Sequence, residues 1–140
     1  MSPLRQQIVT TAREYLDTPF AHQGRLKGVG IDCAGLVVGV ARDLDLVYAD
    51  ETGYPPVPNG GLFLRTIERI CAPVSADEVQ PGDLAVFRFL TEPQHIAIVS
   101  EIEPLMLIHA WEKIGRCVEN TLDATWRRRL VGFYRFRECL

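Results

Sequence analysis

The sequence contains no C-x-x-C pair, no apolar run approaching the length of a membrane span and no surplus of positive charge. Its four cysteines, Cys33, Cys71, Cys117 and Cys139, stand far apart, so the ligand spacing of a zinc ribbon is missing. The opening residues, Met1-Ser2-Pro3-Leu4-Arg5-Gln6-Gln7, lack a cationic stretch followed by an apolar one, and no secretory leader is expected. Synthesis in the cytoplasm is the expectation, with a disulfide framework disfavoured and any work outside the cell dependent on another route. A net charge of −3 gives no electrostatic basis for binding nucleic acid or an anionic membrane. The one dense basic cluster, Arg127-Arg128-Arg129, reads as a solvated helix face. Histidine is scarce as well, at three residues. Neither a cofactor nor a metal is expected, since two strand histidines and a distant cysteine are a poor zinc set.

What is there is a chain of 140 residues, 47% hydrophobic and 24% charged, which fits one globular domain over residues 1–140. Leu4, Ile8, Ala12, Tyr15 and Leu16 recur at helical spacing and predict a helix over 2–17, stopped by Thr18-Pro19. A glycine-rich loop over 18–31 follows, and then a helix from Asp32 or Cys33 to about Leu44. Residues 48–61, with Pro55, Pro56, Pro58, Gly60 and Gly61, read as a long ordered loop whose Tyr54 is a candidate substrate contact. Leu62, Phe63, Ile67 and Ile70 mark a third helix. From the Pro81-Gly82-Asp83 turn onward the period becomes that of strands: Leu84–Leu90, His95–Val99, Met106–Trp111, Arg116–Glu119 and Val131–Phe136, with a helical turn near Asp123–Leu130. Helices first and strands second predict an α+β fold, with an antiparallel sheet of about five strands packed on the N-terminal helices.

Three of the cysteines read as small buried hydrophobes. Cys33 differs, because it follows a glycine-loosened loop and falls in the first turn of an apolar helix. Free N–H groups and the helix dipole there favour a thiolate, and the same amides can receive an oxyanion. Asp32 has the side chain of an N-cap, and Gly35 lets backbone or substrate come close. Alone, a helix-start cysteine is more often core than nucleophile. The histidines change that balance. His95 opens one strand and His109 lies in the next, so in a hairpin centred near residue 102 the imidazoles stand opposite each other. His95 then takes the thiol proton while His109 holds its tautomer, as a third triad member does. The competing reading is two histidines bonded separately to the backbone.

Four segments carry a resemblance. Ile31-Asp32-Cys33-Ala34-Gly35-Leu36-Val37 resembles the D-C-S/A-G-L-V motif of NlpC/P60 cysteine peptidases, and Pro81-Gly82-Asp83-Leu84 their P-G-D-L turn. Gln94-His95-Ile96-Ala97-Ile98-Val99 is similar to their H-V-G-I-Y strand, and Leu107-Ile108-His109-Ala110 to their M-I-H-A strand. The resemblance implies a papain-like fold, the triad Cys33, His95 and His109, and hydrolysis of peptidoglycan stem peptides, often between D-γ-glutamate and the diamino acid. Many members carry P-Y-R-Y-G-G ahead of the nucleophile. Here Pro19-Phe20-Ala21-His22-Gln23-Gly24 puts His22 near the tyrosine position, as a candidate for the oxyanion or a substrate carboxylate. That H-Q-G variant and the Gly132–Phe136 segment resemble members carried by phages and gene-transfer agents, which implies tail or baseplate partners and action at the cell wall, from the particle or after lysis. Alternatives are a CHAP-like amidase cutting between muramic acid and L-alanine, a thioester-forming acyltransferase, and a catalytically silent tail-hub module.

Overall fold

The computed structural model describes residues 1–50, 61–89 and 93–140. Tyr54, most of the 48–61 loop and Leu90 lie outside the described residues. Helix α1 (Pro3–Arg13) starts where Ser2 accepts the Arg5 N–H and Pro3 needs no donor of its own. It stops four residues before the predicted end. Asp17 takes a positive φ of 68° and its N–H bonds the carbonyl of Cys117, so residues 14–17 turn to meet the sheet.

The 18–31 segment is not all loop. It forms a small hairpin, β1 (Arg25–Leu26) and β2 (Gly30–Ile31), which lies ahead of helix α2 (Cys33–Asp43). Helix α2 is the central helix: Leu36, Val37, Val40 and Ala41 are buried, and a Cβ on Gly39 would strike the Tyr15 ring of the preceding segment. Helix α3 (Leu62–Ile70) leads straight into β3 (Cys71–Val74), a strand the alternation did not predict. The remaining elements are β4 (Leu84–Arg88), β5 (Pro93–Ile102), β6 (Leu105–Trp111), β7 (Arg116–Thr121), helix α4 (Ala124–Arg129) and β8 (Leu130–Phe136), with a 3-10 turn over Arg137–Cys139.

The sheet is antiparallel, ordered β3-β8-β4-β5-β6-β7, and so has six strands rather than five. Short β3 escaped prediction because it is a four-residue edge strand interrupted by Pro73, the position where a sheet tolerates proline. Period-2 alternation gives the sheet two apolar faces. Leu84, Val86, Ile96, Ile98, Ile108 and Ala110 pack on the helices, while Ala85, Phe87, Ala97, Val99, Leu107 and Phe133 lie under Leu122 and Trp126. Cys71 and Cys117 are buried in the first core, and all four cysteines are free. Among the described residues no helix is long and apolar enough to cross a membrane.

Candidate active site

Asp32 fixes the start of α2 and much else. Its Oδ1 accepts the Gly35 N–H at 2.8 Å and Arg25 Nη1 at 2.9 Å, and its Oδ2 accepts the Gln23 N–H at 2.9 Å. Arg25 in turn bonds Gly24 O and Asp50 Oδ1, both at 2.9 Å. Asp32 is buried and its carboxylate is directed inward at these partners, so the structure makes it the cap of α2 and the tether of residues 22–25, with no oxygen left facing a substrate. Residues 22–25 are thereby held against the first turn of α2, and His22 in this loop is exposed. His22 Nε2 lies 3.4 Å from the Gln23 side-chain nitrogen.

The loop touches the helix backbone to backbone, and a Cβ on Gly35 would collide with the carbonyl oxygen of Gly24. Alanine in a helix normally gains about 1 kcal/mol over glycine. Here the collision outweighs that gain, and we expect Gly35→Ala to lose about 1–3 kcal/mol of stability and to weaken any activity by moving residues 22–25. Thermal melting checks the sign; a stabilised variant would refute the close packing.

Cys33 and the histidines approach from opposite faces of the sheet. Cys33 packs with the helical core, whereas His95 and His109 share the face covered by Trp126. They meet at the beginning of β5. The β5–β6 ladder starts at Ile98↔Ile108, so upstream of it the main chain of β5 has no β6 partner among the described residues. The sulfur of Cys33 occupies that gap: it lies 4.0 Å from Gln94 O, and the Ile96 N–H is directed at it. Gln94 and Ile96, two residues apart, present their main-chain groups to the same edge of the strand. His95 sits between them.

The histidines are not directly opposite, as a hairpin centred on residue 102 would have them. The hairpin closes later, at Ile102↔Leu105, and a one-residue shift between Val99 and Glu101 then sets Ile98 opposite Ile108, which makes His95 and His109 diagonal neighbours. Diagonal neighbours remain within reach of long side chains. His95 Nε2 is 2.8 Å from His109 Nδ1, and His109 Nε2 is 2.6 Å from Asn120 Oδ1 on β7. Asn120 also donates from Nδ2 to Thr121 O at 3.3 Å, which points its oxygen at the imidazole.

This chain of bonds sets the protons. An amide oxygen only accepts, so His109 carries hydrogen on Nε2 and presents a bare Nδ1. His95 must then donate from Nε2, which leaves its own Nδ1 bare. The basic nitrogen of His95 is thus Nδ1, fixed two residues away by Asn120. Sequence reading missed Asn120. Its signal was a lone amide just past the predicted strand Arg116–Glu119, unremarkable until the register brings it diagonal to His109.

Missed too was the aromatic shell. Trp126 stands 5.3 Å from the His95 ring and 5.0 Å from the His109 ring, with Phe89 at 5.4 Å and Phe87 at 6.0 Å from His95. This burial, then the neighbouring His109 and Arg129, holds His95 well below the ordinary histidine range. Burial also lowers His109, against the opposing pull of Asn120. The expected helix-stabilised thiolate is reversed. Burial, and after it the negative charge of Asp32, push Cys33 up to about 12, and the N–H groups of Ile96 and Ala34 do not compensate. Both shifts favour the uncharged forms, thiol and imidazole. Among the described residues no group of three or more His, Cys, Asp or Glu is placed to hold a metal.

The model of the NlpC/P60 family matches residues 17–135, which covers the loop, helix α2 with Cys33, and both histidines with Asn120. The chain belongs to the NlpC/P60 family. Solved NlpC/P60 structures share its fold at low identity. A family protein from Bacillus cereus superposes with a TM-score of 0.76 and 18% identity, covering 97% of this chain and 41% of that one. The NlpC/p60 domain of the peptidoglycan hydrolase SagA gives 0.64 and 21%, covering 94% and 97%. An N-acetylmuramoyl-L-alanine amidase from Bacteroides uniformis gives 0.62 and 12%, covering 95% and 98%. This NlpC/P60 domain therefore spans about two fifths of the Bacillus cereus protein and nearly all of the SagA domain. The sequence matches no curated protein.

Proposed function

We propose that this NlpC/P60 domain is a cysteine peptidase that cuts peptide bonds in the stem peptides of bacterial peptidoglycan. One observation carries the reading: the sulfur of Cys33 rests on the main chain either side of His95, whose bare Nδ1 is supplied by the His109–Asn120 relay. Cys33 is the nucleophile, His95 the base, and His109 and Asn120 the groups that orient it. In the first step the thiol proton passes to His95 Nδ1 as the sulfur bonds the scissile carbonyl carbon; the Cys33 amide and His22 are the oxyanion donors we assign. The C–N bond breaks, and His95 protonates the leaving amine. In the second step His95 takes a proton from water, the hydroxyl attacks the thioester, and the C–S bond breaks to release the acid and restore the thiol.

The bond we assign is D-γ-glutamyl to diamino acid, in line with the family resemblance. A second reading, cleavage between muramic acid and L-alanine, draws support from the amidase that shares the fold over 95% of the chain. The H-Q-G loop motif favours a phage-tail or gene-transfer-agent setting, with tail proteins as partners and the cell wall as the place of action.

Digestion of purified peptidoglycan by the native chain and by Cys33→Ser, with mass analysis of fragments, tests the reaction and the bond. Peptides newly exposing the diamino acid amine support the endopeptidase; peptides starting at L-alanine beside intact glycan support the amidase. Equal, empty digests from both proteins would leave the silent-module reading.

A further inference from the structure

Most arginines that the fold encloses are paired. Arg5 and Arg135 bond Asp83, and Arg25 bonds Asp32 and Asp50. Arg129 is different. It is half-buried at the end of α4, its Nη1 is shut off from solvent without a hydrogen-bond partner, and no carboxylate among the described residues pairs with it. An enclosed donor left unbonded is costly, and a guanidinium keeps its charge at every physiological pH.

The position of this cation matters more than its isolation. It lies 5.3 Å from the centre of the Trp126 ring and 5.6 Å from that of Phe89. Those rings wall His95, at 5.3 Å and 5.4 Å between centroids. A fixed positive charge therefore stands one aromatic layer from the base, where it opposes the imidazolium that catalysis must form. A substrate carboxylate meeting the exposed part of this half-buried side chain would supply the counter-charge it lacks and offset its field on His95.

We propose that Arg129 is a specificity residue, receiving a carboxylate of the substrate peptide that flanks the bond to be cut. This rests on the peptidase reading above. The two-pronged geometry of guanidinium suits a carboxylate, and the stacked rings hold its plane. A stem peptide offers two sources: the α-carboxylate that γ-linked glutamate leaves free, and the carboxylates of the diamino acid or the peptide terminus.

Three synthetic stem peptides separate the sources: one fully acidic, one with the glutamate α-carboxylate amidated, one with the later carboxylates amidated. The native chain should cut the acidic peptide about tenfold or more better than one of the amidated pair, which identifies the group read. Arg129→Gln should lose about 10- to 100-fold in kcat/KM on the acidic peptide and become indifferent to that amidation; Arg129→Lys, a point charge without a fork, should fall between. A preference that survives in Arg129→Gln, or an equal loss on all three peptides, overturns the proposal. Binding of the same peptides to Cys33→Ser, with and without Arg129→Gln, is measured by calorimetry. If the native chain cuts none of them, the peptidase reading fails, and this arm still decides: carboxylate-dependent binding that Arg129→Gln removes supports the site, and its absence overturns it. Should Arg129→Gln melt far below the native chain, Arg129→Lys carries the comparison.

Discussion

Exchange of His95 for alanine is expected to lower kcat/KM on a peptidoglycan peptide about 100- to 10,000-fold with the fold intact, and Cys33→Ala to leave no turnover above background. The graded part of this result is the informative one. His109→Ala and Asn120→Leu keep nucleophile and base but free the His95 tautomer, so each should cost about 10- to 100-fold; Asn120→Asp, whose oxygen still accepts from His109 Nε2, should recover much of the loss. The pH profile follows from the directions of the shifts. His95 is depressed, so it stays unprotonated and able to accept the thiol proton below pH 6.5; activity falls only when the pH drops through its lowered value. Cys33 is raised to about 12, so thiolate is scarce at neutral pH. Its alkylation by iodoacetamide should be slow at pH 7 and rise about tenfold per pH unit from there to about pH 11. A rate plateau between pH 6 and 8 would mean a preformed thiolate–imidazolium pair and would sink the neutral-pair account.

The placing of Cys33 at a helix start and of the two histidines on neighbouring strands was legible before any coordinates, because these residues announce themselves by type and by place. A cysteine after a glycine-rich loop, capped by Asp32, opens a helix in the structure as its neighbours require. The strands bearing His95 and His109 likewise follow from alternation. What stayed hidden depended on register or on long-range packing. The hairpin closes at Ile102↔Leu105 rather than about residue 102, and with the one-residue shift between Val99 and Glu101 this leaves the histidines diagonal instead of opposed. Asn120 and Trp126 reach the histidines only through β7 pairing and the return of α4 over the sheet. The ionisation of Cys33 was misjudged for a similar reason: the helix start is a local feature, whereas the burial that overrides it comes from the whole sheet.

Asp83 gives the largest expected effect on stability. Its sequence context, a proline-glycine turn before a strand, says only that a turn residue belongs there. The structure puts it at 0% exposure, accepting Arg5 Nη1, Arg135 Nε and Arg135 Nη2 at 2.9 Å each and the Gln80 N–H at 2.8 Å. One carboxylate thus ties the first helix, the last strand and the turn ahead of β4 into a unit. Removing it strands two guanidinium groups, one of them buried, without a counter-charge. Breaking such a network costs about 3–5 kcal/mol, a large share of the roughly 5–15 kcal/mol that hold a domain together. Asp83→Ala should therefore lower the melting temperature by about 10 °C or more, while the fraction that remains folded at low temperature keeps its peptidoglycan turnover, since no bond of Asp83 reaches Cys33, His95 or His109. A denaturation midpoint unchanged within error would show that water replaces the carboxylate at little cost. Joint replacement of Arg5, Asp83 and Arg135 by apolar residues of similar volume should restore most of the loss, because the penalty lies in the unmatched charges and not in the space they fill.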